Sequence, residues 1–168
     1  AHPEDVLEKA DRKLPMVVIG DRRQDLSVDT VELNNYDAGS LIARHMHELG
    51  HKHLAYISTT LDEANPIRTQ RLQGLRDTFG QLCPDGSVQV KSRDISPETE
   101  LENLQIEHLV GRELARKCLD DKKITAFVAV NDMVAYGVID AVREGGYSIH
   151  GDYSVCGFDN IFPSGFAG

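Results

Sequence analysis

Residues 124–160 read ITAFVAVNDMVAYGVIDAVREGGYSIHGDYSVCGFDN, and this stretch decides the fold. Ile124–Val130 is a short apolar run stopped by Asn131-Asp132. A helical pattern follows, with Met133, Val134, Val138, Ile139 and Val142 on one face and Gly145-Gly146 as its end. Tyr153–Phe158 is a second apolar run, stopped by Asp159-Asn160. Strand, crossover helix and strand make one βαβ unit with a parallel pair. Ligands of open α/β sheets bind at the carboxyl ends of such strands. Asn131 and Asp159 therefore stand where one polar ligand would meet both.

Outward from that unit, strand and helix patterns alternate. Pro3–Lys13 reads as a helix, Met16–Ile19 as a buried strand broken at Gly20-Asp21-Arg22, and Thr30–Leu33 as a short strand. A helix over Tyr36–Leu49 is expected to bury Leu41, Ile42, His45, Met46 and Leu49, with Asn35 or Asp37 as cap. His53–Ser58 is the next strand. Pro66 opens a helix whose core face is Leu72, Leu75, Phe79 and Leu82. Ser87–Val90 is a strand. Ser96 then caps a long acidic helical stretch that runs to Asp120, with Leu101, Leu104, Leu109, Val110 and Leu114 as its apolar members and its carboxylates on a solvated face. This order predicts an α/β fold, a doubly wound parallel sheet with helices on both faces.

Bulk composition narrows the function. A formal net charge of −9 leaves no basic face to neutralise phosphates, so this chain is not expected to bind nucleic acid by itself. No apolar run approaches the roughly 20 residues that span a bilayer, and Ala1-His2-Pro3-Glu4-Asp5 does not read as a signal peptide. Cys83, Cys118 and Cys156 are odd in number and widely spaced, which fits reduced core thiols and a cytoplasmic location. No Gly-x-Gly-x-x-Gly or phosphate-binding Gly-Lys-Ser/Thr loop is present, and no Gly-x-Ser-x-Gly elbow. His45, His47, His51 and His53 invite a zinc hypothesis, but a spacing of two on a helix turns His45 and His47 in different directions. Neither metal nor cofactor is expected, and the chain is not expected to be an enzyme.

One constellation remains: Arg71, Asn131 and Asp159, with Arg68 beside Arg71. Arg71 lies in the first two turns of the helix after His53–Ser58, again on a strand's carboxyl side. A carboxylate accepts from neighbouring hydroxyls, a guanidinium donates to oxygens, and an amide does both, so these residue types suit a sugar-like ligand. Each also has a purely structural reading. Asn131 is placed to cap the following helix, Asp159 to cap or close a turn, and Arg71 to make surface pairs.

Four motifs then resemble the lactose/galactose repressor family of bacterial transcription regulators: His-Glu-Leu-Gly-His-Lys-His-Leu-Ala-Tyr-Ile (His47–Ile57), Arg-Leu-Gln-Gly-Leu (Arg71–Leu75), Ala-Val-Asn-Asp-Met-Val-Ala-Tyr-Gly (Ala129–Gly137) and Tyr-Ser-Val-Cys-Gly-Phe-Asp-Asn (Tyr153–Asn160). The resemblance runs from about Leu14 to Phe162. It implies a periplasmic-binding-protein-like, three-layer α/β/α subdomain that closes with a second subdomain on a small molecule. Residues 1–28 would be the end of the N-terminal effector subdomain and its crossover, 29–160 the C-terminal effector-binding subdomain, and 161–168 a crossover back. The resemblance implies effector contacts at Arg71, Asn131 and Asp159, and Arg68 and Asp21 are further candidates. In some relatives an aspartate stands where this chain has Gly20, one residue before Asp21. The resemblance also implies a homodimer, and operator DNA read through a helix-turn-helix that this chain does not contain. A periplasmic sugar-binding protein of a transporter shares the fold and is the main alternative. An α/β phosphotransfer or hydrolase enzyme would need an acidic pair or nucleophile beside Asp159. No aromatic residue lies between Phe79 and Phe127 to stack on a ligand.

Overall fold

The computed structural model describes residues 15–20 and 29–161, as two units divided after Asn34. The expected helix over Pro3–Lys13, the candidate Asp21 and most of the crossover 161–168 lie outside the described residues. In the smaller unit, β1 (Val17–Ile19) pairs in parallel with β2 (Asp29–Val31). Gly20 follows β1 at φ +136°, a conformation open to glycine, and its N–H reaches Val31 O at 3.0 Å. Val17 and Ile19 are exposed in this chain, contrary to the buried strand expected. Among the described residues of this unit the two strands have no second layer against which to bury a face.

The larger unit holds a four-stranded sheet. Its elements run α1 (Asn35–Glu48), β3 (His53–Ser58), α2 (Pro66–Leu82), β4 (Ser87–Ser92), α3 (Pro97–Glu102), α4 (Ile106–Arg116), β5 (Ala126–Ala129), α5 (Asp132–Glu144) and β6 (Ser154–Cys156). The strand order is β4-β3-β5-β6, parallel throughout. Ala55, Ile57, Phe127 and Val128 on the two central strands are fully buried, as apolar runs covered on both sides should be. From β3 the chain moves outward to β4, then returns across β3 to β5 and β6. The direction of winding therefore reverses between β3 and β5, and their carboxyl ends open the crevice where ligands of such folds sit.

Helices pack in pairs, α1 on α2 and α4 on α5, and right-handed crossovers put the two pairs on opposite faces. Glycines set both contacts. A Cβ on Gly39 would meet Arg71 O, and one on Gly74 would meet Tyr36 O; Gly111 stands likewise against Val134 O and Gly137 against His108 O. Ser40 Oγ adds hydrogen bonds to Tyr36 O (3.0 Å) and Gly74 O (3.3 Å). This crossing corrects the expected core faces. Small residues Gly39, Ser40 and Ala43 share the buried stripe of α1 with Asn35, Ile42 and Met46, whereas Leu41 and Leu49 are exposed. Gly74, Leu75, Thr78 and Phe79 are the buried positions of α2, and Leu82 is at its margin.

The acidic stretch is two helices, not one. Ser96 Oγ accepts from Thr99 N as the cap of α3, and Asn103 ends it, its Oδ1 accepting from Gln105 N at 3.0 Å. Leu101 and Leu104 flank this break and are 82% and 86% exposed, so they are not core members. Val110 and Leu114 are buried as expected, and Leu109 is exposed.

His51 secures the amino edge of the sheet. Its Nδ1 lies 2.8 Å from Thr125 Oγ1 and its Nε2 3.0 Å from Ser154 Oγ, tying the turn before β3 to the starts of β5 and β6. His53 Nδ1 lies 3.0 Å from Ser87 Oγ. Burial, and secondarily His45, hold the His51 imidazole below its ordinary 6.5. A base whose folded-state pKa is depressed gives its full stabilisation above the unfolded value and loses it as pH falls toward the folded one. Stability is therefore expected to fall on acidification below about pH 6.5, modestly, because solvent screens a ring that is partly exposed. Urea unfolding at pH 7.5 and 5.5 should show a smaller pH difference in His51→Gln than in the parent. An unchanged slope would remove His51 from the account.

Candidate functional site

At the carboxyl edge, β5 runs out through Val130 into Asn131, whose backbone is extended and whose Oδ1 accepts from Val134 N at 2.9 Å as the N-cap of α5. The next residue, Asp132, organises the exit of β6. Its Oδ1 accepts from Phe158 N and Asp159 N, each at 3.1 Å, and its Oδ2 from Ile161 N at 3.0 Å. Asp159 answers in kind, its Oδ2 accepting from Asp132 N at 3.2 Å. A Cβ on Gly157 would collide with Asp132 Oδ1, so glycine is what lets the chain close on that carboxylate. These bonds also explain why β6 stops at Cys156 rather than running to Phe158: from residue 158 the backbone N–H groups turn to Asp132.

The lock presents Asp159 to Arg71. Arg71 Nη1 lies 3.6 Å from Asp159 Oδ1 and donates to Val130 O at 2.7 Å. Its Nε donates to Asn35 Oδ1 at 3.0 Å. The guanidinium carbon sits 4.5 Å from the centre of the Phe158 ring, a cation–π contact. Arg71 is only 12% exposed, while Asp159 keeps 34% of its side chain open. Three elements thus converge: α2 supplies the cation, β5 a carbonyl, and the β6 exit loop a carboxylate and an aromatic face.

Beside this pair lies a second cluster. Asn131 Nδ2 donates to Glu107 Oε1 at 2.8 Å, and Arg68 Nη2 lies 3.6 Å from the same oxygen. Arg68 Nη1 faces Glu100 Oε1 at 3.1 Å; both atoms are sealed from solvent and are not aligned for a hydrogen bond. Arg68 and Asn131 are therefore brought together through Glu107, and Arg71 and Asp159 directly. Glu100 and Glu107 overturn the reading of the acidic stretch as a wholly solvated face. Glu107 stands in the first turn of α4, and its partners come from α2 and the N-cap of α5, which sequence spacing does not connect. Asp132 carried a weak local signal, an acid at the first position of a helix, but its reach to residues 158–161 is tertiary. Phe158, partly buried against the core, is the aromatic residue in contact with Arg71.

Other chemistry in the unit is quiet. Burial, and secondarily Asp132, push the Cys156 thiol up to about 11, far from the range of a reactive thiolate. Burial likewise raises Cys118. A cavity of about 320 Å³ lies along α5 and β6, walled by Tyr136, Ile139, Ile149, Val155 and Phe158 among others. None of Arg68, Arg71, Asn131 and Asp159 lines it. Among the described residues no helix is long and apolar enough to cross a membrane.

Known proteins share this framework. The profile of a periplasmic binding protein-like domain matches residues 43–167, well over half of the chain. The chain belongs to that family. Within it, a transcriptional repressor PurR of the helix-turn-helix type from Mannheimia succiniciproducens is 31% identical over 158 residues, covering 91% of this chain and 42% of the repressor. The helix-turn-helix regulator DegA of Bacillus subtilis is 31% identical over 157 residues, with the same two coverages. A LacI-family regulator from Enterococcus faecium, solved with bound ribose, superposes with a TM-score of 0.72 at 24% identity, covering 94% of this chain and 53% of that one. This periplasmic binding protein-like chain thus spans less than half the length of the curated relatives it matches. The lactose/galactose repressor family read from the four motifs is the family of these neighbours, and the α/β parallel-sheet fold is theirs too.

Proposed function

We propose that this chain is the effector-sensing part of a LacI/GalR-type transcription regulator, and that Arg71, Asn131 and Asp159 form one wall of its small-molecule cleft. The observation that carries the reading is the Arg71–Asp159 pair, held over Phe158 at the point where the sheet reverses its winding. The ligand is a sugar or sugar derivative. Asp159 accepts from its hydroxyls, while Arg71 orients Asp159 and offers its remaining donors. Asn131 acts mainly by position, since its amide is spent on the cap of α5 and on Glu107. Arg68 serves as a supporting group. A second subdomain of the full-length regulator supplies the facing wall. Ligand bridging both walls shifts an open–closed equilibrium and with it the operator affinity of a helix-turn-helix outside this chain. The protein works as a cytoplasmic homodimer.

The names of the regulators that this chain resembles support this reading over a transporter's binding protein. A thermal-shift screen of sugars, sugar phosphates and nucleobases on the full-length protein identifies the effector, since a ligand at 100 times its Kd stabilises by about 2.7 kcal/mol. Arg71→Ala and Asp159→Ala are each expected to abolish that shift. Normal response in both variants would remove the site assignment.

A further inference from the structure

The two arginines at the carboxyl edge look like an anion site until their partners are counted. Arg71 is held against Asp159, Val130 O and the Phe158 ring. Arg68 is held between Glu100 and Glu107. Two guanidiniums thus face three carboxylates, and the edge carries an excess of negative charge. A phosphate brought here would have to separate one of these pairs and lie beside the carboxylate released. Juxtaposed like charges in such a partly desolvated place cost several kcal/mol. A hydroxyl meets no such penalty, because Asp159 and Glu107 accept hydrogen bonds with any lone pairs left over from their protein partners.

We infer that this edge selects an uncharged, hydroxyl-donating ligand over its phosphorylated form, and that Glu107 is the residue that sets the preference. The inference rests on the cleft reading above and names the ligand class for that same site. Glu107 acts in two ways. It is the second carboxylate on Arg68, after Glu100, so that one cation faces two negative charges, and it adds an acceptor at the same edge. Asn131 fixes its orientation through the 2.8 Å bond from Nδ2, and this bond survives a change to glutamine, whose carbonyl still accepts.

The test is calorimetric titration of the full-length protein with matched pairs, ribose with ribose 5-phosphate and glucose with glucose 6-phosphate. For a pair whose neutral member binds, that member is expected to bind at least about 10-fold more tightly than the phosphorylated one. Glu107→Gln is expected to bring the two within roughly 3-fold by removing one of the two negative charges that face Arg68. Should that variant fail to fold, judged by its urea midpoint, Glu100→Gln removes the other charge that faces Arg68 and should narrow the gap in the same direction. Equal or tighter binding of the phosphorylated member by the parent overturns the preference while leaving the cleft reading in place. Full discrimination in a folded Glu107→Gln protein overturns the role of Glu107. If no member of either pair binds, the sugar reading itself falls, and this inference falls with it.

Discussion

Asp132→Ala is expected to lower the stability of the larger unit by about 3 kcal/mol, enough to move the thermal midpoint down by roughly 5–10 °C. The carboxylate is almost wholly buried and accepts from three backbone N–H groups of the β6 exit loop. Alanine leaves those donors without their acceptor, and each part-buried orphan costs about 1–3 kcal/mol before water relieves it. Asp132→Asn separates shape from charge. Its carbonyl can replace Oδ1 for Phe158 and Asp159, but its amide would face the Ile161 N–H, so an intermediate loss is expected. Chemical denaturation of the three proteins measures both effects. A change below about 0.5 kcal/mol in Asp132→Ala, the usual range for a surface substitution, would show that the loop is held by other contacts. Because Asp159 rides on this loop, effector response should weaken in step with stability.

Gly74→Ala is expected to cost about 2 kcal/mol, although alanine favours a helix over glycine by about 1 kcal/mol. The added methyl group would strike Tyr36 O and crowd Ser40 N at 3.1 Å, and both are backbone atoms of α1 that cannot rotate away. The helices must separate, and α2 carries Arg71 three residues earlier in the chain. Gly80→Ala is the control within the same helix. Nothing lies within 4 Å of a Cβ there, so that substitution should stabilise by up to about 1 kcal/mol. If the two variants have the same urea midpoint, the glycine crossing does not limit the approach of α1 and α2.

Particular residues explain what could be read from the chain in advance. The parallel βαβ order and the strand His53–Ser58 follow from apolar runs bounded by turn residues, which are local signals. Asn131 as a cap and Asp159 at a strand exit are local too, so their place at the carboxyl edge was visible. The buried face of α1 differs from the expected one because hydrophobicity points to Leu41 and Leu49, whereas close approach of two backbones selects Gly39, Ser40 and Ala43. The tertiary roles of Asp132 and Glu107 are not local, because their partners lie 24 or more positions away. A carboxylate that binds distant backbone N–H groups leaves no periodic trace. The internal neutralisation of Arg68 is invisible for the same reason: Glu100 and Glu107 reach it only after α3 and α4 fold back over the sheet edge.

The most direct measurement is operator binding by the full-length regulator, with and without its effector, for the parent and for Asp159→Asn. Asparagine can still accept from Asp132 N, so the lock on the exit loop stays closed, but the charge opposite Arg71 is gone. Operator affinity without effector is expected to be unchanged, and effector potency to fall by at least about 10-fold in the variant. An Asp159→Asn protein that answers its effector at the parent's concentration would contradict this expectation.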